Sequence, residues 1–192
     1  MNRIIIYGSV YGTSKKYALE LANRLNVEAI SYEDIKNIND YDSIIYLGGL
    51  YAGGVAGMVK TFKRINDIKN KELIVITVGL SDPYNEKNIT NIDKSIKNQL
   101  KDELFNLIKI YHLRGGIDYS KLGFMHKTMM KMLYNKAKKV PEEERDAEIS
   151  AMVDTYNKKV DFVDFNELER IIKDINKEEI IINNEISQDI KI

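Results

Sequence analysis

The sequence predicts an α/β fold with a parallel sheet that is covered by helices on both faces. Short runs rich in Ile and Val alternate with helical patterns, and the runs are continuous rather than alternating in polarity. The first feature is typical of βαβ units, and the second of strands buried on both faces. With 192 residues, of which 44% are hydrophobic, the chain is long enough for one domain with a substantial core.

Five apolar runs, each bounded by turn residues, are the candidate strands. In chain order they are Arg3–Tyr7, Val27–Ile30, Ser43–Leu47, Leu73–Val78 and a stretch within Leu104–Leu113. Helical patterns lie between them. The predicted helices are Ser14–Leu25, Ala56–Ile65, Asn91–Leu100 and about Asp164–Asn176, the last of which is expected to cover the sheet.

The region after the fifth predicted strand departs from this alternation. Arg114–Ser120 is a predicted turn, and Lys121–Val140 has six lysines, no acidic residue and four of the seven methionines. Three interpretations of the second segment stay open. It is a surface helix that packs its apolar stripe on the core, a surface for a partner or a quinone, or a helix that contacts a membrane surface.

Composition excludes several kinds of site. The absence of cysteine excludes disulfides, zinc–thiolate sites and iron–sulfur clusters, and a formal net charge of zero does not indicate nucleic-acid binding. His112 and His126 lack the spacing of metal ligands, so we expect no metal site. The first residues form a strand pattern rather than a signal peptide, and no run reaches the roughly 18 apolar residues of a membrane span. We therefore expect a cytoplasmic protein, peripheral to a membrane if residues 121–140 contact one.

The loop after the first strand, in "IIIYGSVYGTSKKYA", has the composition of a phosphate site. It is not a Walker A loop, because Gly8 and Gly12 are only four residues apart and Thr13 replaces the lysine. It is not a dinucleotide fingerprint, because Val10 occupies the position of the second glycine. The hydroxyls of Ser9, Thr13 and Ser14 and the amides of the helix start could hold a phosphate without a cation.

"YGSVYGTSKKYA" resembles the phosphate loop of flavodoxins, a family that binds flavin mononucleotide (FMN). The resemblance implies that the phosphate is held by Ser9, Val10, Tyr11, Gly12, Thr13 and Ser14. A simple helix N-cap is the alternative, and Thr13 or Ser14 alone would suffice for it. The resemblance also implies a three-layer α/β/α sandwich with a five-stranded parallel sheet in the order 2-1-3-4-5 and an insertion after strand 5. We expect residues 1–176 to form a single domain, with an insertion at 114–140 and a C-terminal tail at 177–192.

Two further loops follow the third and fourth predicted strands, at the edge of the sheet where ligands bind. In flavodoxins these loops hold the isoalloxazine ring. The resemblance therefore implies ring contacts from Gly49, Leu50, Tyr51, Ala52, Gly79, Leu80 and Ser81. Tyr84 is a further candidate for stacking. Asp82 is either a turn residue before Pro83 or a carboxylate that would lower the reduction potential of a nearby flavin.

"YHLRGGIDYSKLGFMHKTMMKML" resembles the corresponding stretch of the flavodoxin-like, FMN-dependent protoporphyrinogen oxidases. In those oxidases the loop after the third strand carries basic residues, whereas here it is "GGLYAGG" and the next base is Lys60. Arg114 and Lys121 could supply cations from the insertion instead.

The sequence thus predicts an FMN-dependent oxidoreductase that passes electrons between a small organic substrate, of quinone or tetrapyrrole-precursor type, and a redox partner. The flavin carries the electron chemistry, so no side chain is expected to act as acid, base or nucleophile. The alternatives are a non-catalytic flavodoxin that carries electrons between redox proteins and a flavodoxin-like binding module without flavin.

Overall fold

The computed structural model describes residues 1–51 and 53–177, and five parallel strands form its central sheet. The strands are β1 (Arg3–Gly8), β2 (Glu28–Ser31), β3 (Ser43–Tyr51), β4 (Gly54–Val55), β5 (Glu72–Gly79), β6 (Ile108–Arg114), β7 (Gly116–Asp118) and β8 (Lys159–Asp161). The sheet order is β2-β1-β3-β5-β6, and the short β4 pairs antiparallel with the end of β3. β7 and β8 form a separate antiparallel pair.

Helices cover both faces of this sheet. They are α1 (Thr13–Leu25), α2 (Met58–Phe62), α3 (Glu86–Gln99), α4 (Asp102–Phe105), α5 (Phe124–Ala137), α6 (Ala147–Thr155) and α7, which spans residues 168–177. Among the described residues, none of the helices has the length and hydropathy needed to cross a bilayer.

Alternate residues of each strand pack into two cores. On one face, Ile4, Ile44 and Val75 pack with side chains of α2 and α3. On the other face, Ile5 and Ile45 pack with side chains of α1 and α7. Because side chains alternate along a strand, strands that are apolar at every position bury both faces. The predicted three-layer sandwich and its strand order are therefore confirmed, with β5 and β6 as the fourth and fifth parallel strands. The prediction of one domain over 1–176 stays a prediction, and residues 178–192 of the predicted tail lie outside the described residues.

Two helices begin where a side chain accepts the amide of the first turn. α3 begins at Glu86, five residues before its predicted start, because the Asn85 side chain accepts the amide of Asn88 at 2.9 Å. The sequence places an acidic helix start at Glu142–Glu144, but α6 begins after Asp146, whose carboxylate accepts the amide of Ile149 at 2.9 Å. Polar caps set both boundaries, so the apolar pattern alone could not locate them.

Residues 116–161, which we call the cover segment, contain β7, α5, α6 and β8. Their own small core includes Ile117, Tyr119, Leu122 and Met130. One of the three open interpretations packs a single apolar stripe of α5 on the core, but the helix is divided differently. Met129, Met130 and Leu133 face inward, whereas Phe124, Met125 and Met132 are exposed. The apolar residues of α5 occupy too wide an arc for one buried face.

Candidate functional site

A cavity of about 280 Å³ lies at the carboxyl edge of the sheet, between the strand ends and the cover segment. Most of the residues predicted to bind a ligand line it. From the first loop these are Ser9, Val10, Tyr11, Thr13 and Ser14. From the loops after β3 and β5 they are Gly49, Leu50, Tyr51, Gly79, Leu80 and Ser81. The structure therefore brings the three predicted loops together around one cavity.

One end of the cavity lies at the N-terminus of α1. Gly12 precedes the helix with a φ of 89°, a conformation that favours glycine, and its carbonyl accepts the amide of Lys16 at 3.1 Å. The amides of Thr13, Ser14 and Lys15 precede that first helical bond and have no acceptor within the helix. The first turn contains no acidic residue. This end of the cavity therefore has the hydrogen-bond donors and the positive potential that bind an anion.

The three hydroxyls of the loop have different environments. Ser9 Oγ is buried and has no hydrogen-bond partner among the described residues. Ser14 is 3% exposed and lies beside Gly49, where an added Cβ would come within 3.1 Å of Ser14 Oγ. Thr13 Oγ1 instead donates to the carbonyl of Gly116 at 3.0 Å. The hydroxyl of Thr13 thus connects the loop to β7, whereas that of Ser9 is available to a ligand.

Three aromatic side chains meet beside the cavity. The Tyr11 and Tyr51 rings lie 6.2 Å apart, and His126 of α5 packs edge-on against both, at 5.7 Å and 6.0 Å. Burial raises the pKa of Tyr11 to about 12, with a smaller contribution from Tyr51. The Tyr11 hydroxyl is buried and, like Ser9 Oγ, has no hydrogen-bond partner among the described residues. Of these three residues, the sequence pointed to the two tyrosines but not to His126.

The loops after β3 and β5 contact each other directly. A Cβ added at Gly79 would come within 2.8 Å of Leu50 Cδ1, so the Leu50 side chain packs directly on the backbone at the end of β5. Ser81, which is 9% exposed, and Leu80 continue this wall of the cavity. Leu80 also packs against the core of the cover segment. Together these residues form a flat, mostly apolar slot next to Tyr51.

The cover segment and α3 supply the opposite wall, which the sequence did not predict. Its apolar part consists of Met129, Met130, Leu133, Ala151 and Met152, and α3 adds Asn91, Ile92 and Ser95. Gly115, Gly116 and Ile117 of the "LRGGIDY" stretch also line the cavity, and that stretch was the one sequence signal for this wall.

Glu148 places a carboxyl group at this wall. Partial burial raises the pKa of Glu148, and repulsion from Asp146 adds to the effect, although the residue as a whole stays accessible to solvent.

Some predicted residues lie elsewhere. Asp82 and Tyr84 do not line the cavity: the Asp82 carboxylate accepts the amide of Tyr84 at 2.9 Å, and this turn directs Tyr84 toward α7. There the Tyr84 hydroxyl donates to Glu167, and the Arg170 guanidinium lies 5.2 Å from the tyrosine ring. Gly12 shapes the loop but is not part of the cavity wall. Ala52 lies outside the described residues.

The two cations that the sequence suggested for a carboxylate-bearing substrate are not at the cavity. Arg114 Nε donates to the carbonyl of Leu80 at 3.0 Å, and its guanidinium lies 3.8 Å from the ring centre of Phe162. Lys121 is exposed on the cover segment. Among the described residues that line the cavity there is no lysine or arginine.

The chain is similar to several solved structures, each at low identity. A flavodoxin variant from Fusobacterium nucleatum bound to flavin mononucleotide shares 18% identity over 62% of this chain and 79% of that chain, with a TM-score of 0.42. The Trp repressor binding protein from Bacillus subtilis shares 20% identity over 59% of this chain and 83% of that chain, with a TM-score of 0.41. A flavodoxin variant from Pseudomonas aeruginosa shares 16% identity over 72% of this chain and 97% of that chain, with a TM-score of 0.38.

No curated protein matches the sequence. The family model described as the flavodoxin domain matches residues 4–144, which is more than half of the chain and includes all three loops of the cavity. The protein therefore belongs to the flavodoxin family.

Proposed function

We propose that the protein binds FMN in the cavity at the carboxyl edge of the sheet and is an oxidoreductase for a small, apolar organic substrate. One observation carries the proposal: the cavity begins at the α1 N-terminus, where Ser9 Oγ is buried without a partner, and extends to the apolar slot beside Tyr51. A phosphate and a flat ring joined by a short chain would match these two ends. Family membership and the FMN-bound relative support the same cofactor.

The residues present fit FMN at both ends. Ser9 and Ser14, with the first amides of α1, would hold the phosphate through neutral donors aided by the helix dipole. Tyr51, Leu50 and Leu80 would contact the ring system. The unpartnered hydroxyl of Ser9 is the main support for the fit, because a buried polar group without a partner is costly and a phosphate oxygen would satisfy it.

FMN would supply the electron transfer, and the protein would bind it, orient it and exclude water. Leu50, Leu80 and Met130 form an apolar wall that keeps solvent from the inner part of the cavity. No side chain of the loops is required as a nucleophile.

The charge of the lining favours a neutral substrate over a polycarboxylate. The described lining includes the Glu148 carboxyl but neither lysine nor arginine. A tetrapyrrole precursor with several carboxylates would meet no opposite charge there, whereas a quinone would meet Met129, Met152 and other apolar groups. We therefore propose a quinone-type electron acceptor or donor, and a tetrapyrrole precursor is the second candidate substrate.

Flavin titration tests the cofactor assignment. Purified protein stripped of flavin should bind FMN and quench its fluorescence, and Ser9→Ala combined with Ser14→Ala should lower the affinity at least about tenfold, because two charge-assisted hydrogen bonds are lost. Thr90→Ala is the matched control: it removes an exposed hydroxyl on α3 that bonds to the Glu86 carbonyl and should leave the affinity unchanged. If the double variant binds FMN as tightly as the parent, the phosphate does not lie at this loop.

A turnover experiment separates the enzyme from a carrier. Reduced, FMN-loaded protein is mixed without oxygen with a soluble quinone, and the return of the visible flavin absorbance is followed. Repeated turnover with a chemical reductant in excess supports the oxidoreductase. Rapid exchange with a redox protein combined with no quinone turnover would instead support the electron carrier.

A further inference from the structure

Helix α5 exposes large apolar side chains on the side that faces away from the protein. Phe124 is 88% exposed, Met125 is 80% exposed and Met132 is 55% exposed. The opposite side of the same helix carries Met130, which is 5% exposed, and Leu133, both of which line the cavity. The helix is therefore apolar on two sides, and packing against residues 1–51 and 53–177 accounts for only one of them.

Lysines border the exposed apolar side chains. At helical spacing, Lys127 and Lys131 lie on one side of Phe124, and Lys136 lies on the other side, next to Met125; all three lysines are exposed. Lys121, Lys138 and Lys139 extend the positive charge at the two ends of the helix, and no acidic residue occurs between positions 119 and 141. The outer side of α5 thus combines protruding apolar groups with a uniform positive charge.

We propose that this outer side of α5 docks on an anionic lipid bilayer. A helix that lies in the bilayer interface places Phe and Met side chains among the upper acyl chains while lysines contact the head groups. The arrangement of α5 meets both requirements, because the apolar residues form the centre of the face and the lysines form its borders. Phe124 and Met125 lie in the first turn of α5, so the N-terminal end of the helix would enter the bilayer most deeply.

A lipid surface fits this patch better than a folded protein partner. A stable protein interface buries about 800 Å² on each partner around a packed apolar centre. Three protruding side chains bordered by lysines form a small patch on the outside of a helix rather than a pocket or groove. Such side chains need a soft partner that closes around them, and the charge requires that partner to be negative.

Vesicle sedimentation tests the docking with the full chain, both flavin-free and FMN-loaded. The protein should bind vesicles of phosphatidylcholine with phosphatidylglycerol and should bind pure phosphatidylcholine at least about tenfold more weakly, because the attraction of the lysines is lost. High salt should weaken the binding for the same reason. Equal binding to both vesicles, or no binding to the anionic ones, would overturn the proposal.

Variants identify the docking side. Phe124→Ser combined with Met125→Ser should lower vesicle binding about tenfold or more, and so should Lys127→Gln combined with Lys131→Gln. Leu19→Ser is the matched control, because Leu19 is 49% exposed on α1, and it should bind as the parent does. All three sets change exposed side chains, so the urea unfolding midpoint of each variant should equal that of the parent. The same measurement detects any variant that fails to fold.

Two further results would contradict the docking side. If both α5 variants bind vesicles normally, another surface makes the contact. If the parent is a dimer in sedimentation equilibrium and the Phe124→Ser, Met125→Ser variant is a monomer, the occupant is a second copy of the chain. The proposal does not depend on the cofactor: the Ser9→Ala, Ser14→Ala protein should lose FMN affinity and keep its vesicle binding.

Discussion

The central sheet has an amino edge, where its parallel strands begin, and a carboxyl edge, where they end. The two edges differ in how their polar groups are paired. At the amino edge, the Arg3 guanidinium lies 3.1 Å from Glu72 Oε2, so the two buried charges neutralise each other. The guanidinium also donates to Ser43 Oγ at 2.9 Å, which joins the strand between them to the cluster. At the carboxyl edge, β1, β3 and β5 end in glycine-containing loops, and Ser9 Oγ has no partner among the described residues.

The difference indicates how the fold separates stability from binding. The amino edge pairs its opposite charges within the protein, and Glu72 Oε1 is the oxygen of this cluster that makes no hydrogen bond among the described residues. The carboxyl edge leaves amides and a hydroxyl available at the cost of local stability. Changes at the first edge should therefore affect unfolding, and changes at the second should affect the ligand.

The largest effect is expected at the amino edge. Arg3→Met should lower the free energy of unfolding by about 3 kcal/mol, because Glu72 is left buried without its counter-charge. Urea unfolding measures the loss, and FMN affinity should not change. Adding Glu72→Met to the variant should restore part of the stability, since the uncompensated charge is then removed. A loss of FMN affinity in Arg3→Met would show that the two edges are coupled.

A smaller loss of stability with a clear loss of binding is expected from Gly12→Ala. The φ of 89° disfavours any side chain, at a cost of about 1–2 kcal/mol, although the space around the position is open. The strain should also displace the amides of α1 and lower FMN affinity about tenfold. Gly123→Ala is the matched control, because that glycine also has open space but a φ of −67°. Equal behaviour of the two variants would contradict the role of Gly12.

The pH dependence of unfolding tests a buried histidine of the sheet, His112 on β6. His112 is buried, with Nδ1 2.8 Å from Thr77 Oγ1 and Nε2 3.4 Å from Asp93 Oδ1. Burial lowers the pKa of His112, Arg170 lowers it further and Asp93 opposes both. The unfolded chain therefore takes up a proton near pH 6.5 while the folded protein resists it, so stability should be full above pH 6.5 and fall as the pH is lowered. His112→Gln should reduce this slope in urea unfolding, and an unchanged slope would assign the acid sensitivity to other groups.

The smallest effect is expected at Tyr84. The residue is 57% exposed and contacts Glu167 and Arg170 near α7, so Tyr84→Ala should change the free energy of unfolding by no more than about 0.5 kcal/mol and leave FMN affinity unchanged. Tyr51→Ala should lower that affinity, because Tyr51 lines the cavity. If the Tyr84 variant instead binds FMN more weakly than the Tyr51 variant, the result would support the predicted stacking of Tyr84 on the ring.

The sheet and the first loop could be predicted from the sequence because their signals are local. Continuous Ile and Val runs mark strands buried on both faces, and the hydroxyls between Ser9 and Ser14 lie within one turn of a helix start. Crossover topology then brings the loops after β3 and β5 to the same edge. These features depend on neighbours in the sequence or on a general rule of α/β folds.

The cover segment could not be predicted because its contacts are distant in the sequence. β7 has three residues, and its partner β8 begins 41 positions after the end of β7 at Asp118. Met130 and Met152 reach the cavity from helices whose apolar residues do not form one clean stripe. Tyr84 lies away from the cavity for a different reason: the Asp82 carboxylate accepts its amide and forms a turn just after the loop, so its role at the site stays a prediction.

The hydroxyl of Tyr17, on the helix that begins at the phosphate loop, has a consequence for synthesis on the ribosome. The residue is fully buried, and its hydroxyl donates to the carbonyl of Arg114 at 2.8 Å and accepts the amide of Asp164 at 2.9 Å. A nascent chain that has not yet reached Asp164 would leave this hydroxyl without its donor. The helix that begins the binding site is thus translated well before Asp164, and its environment is completed only when that later segment has left the exit tunnel.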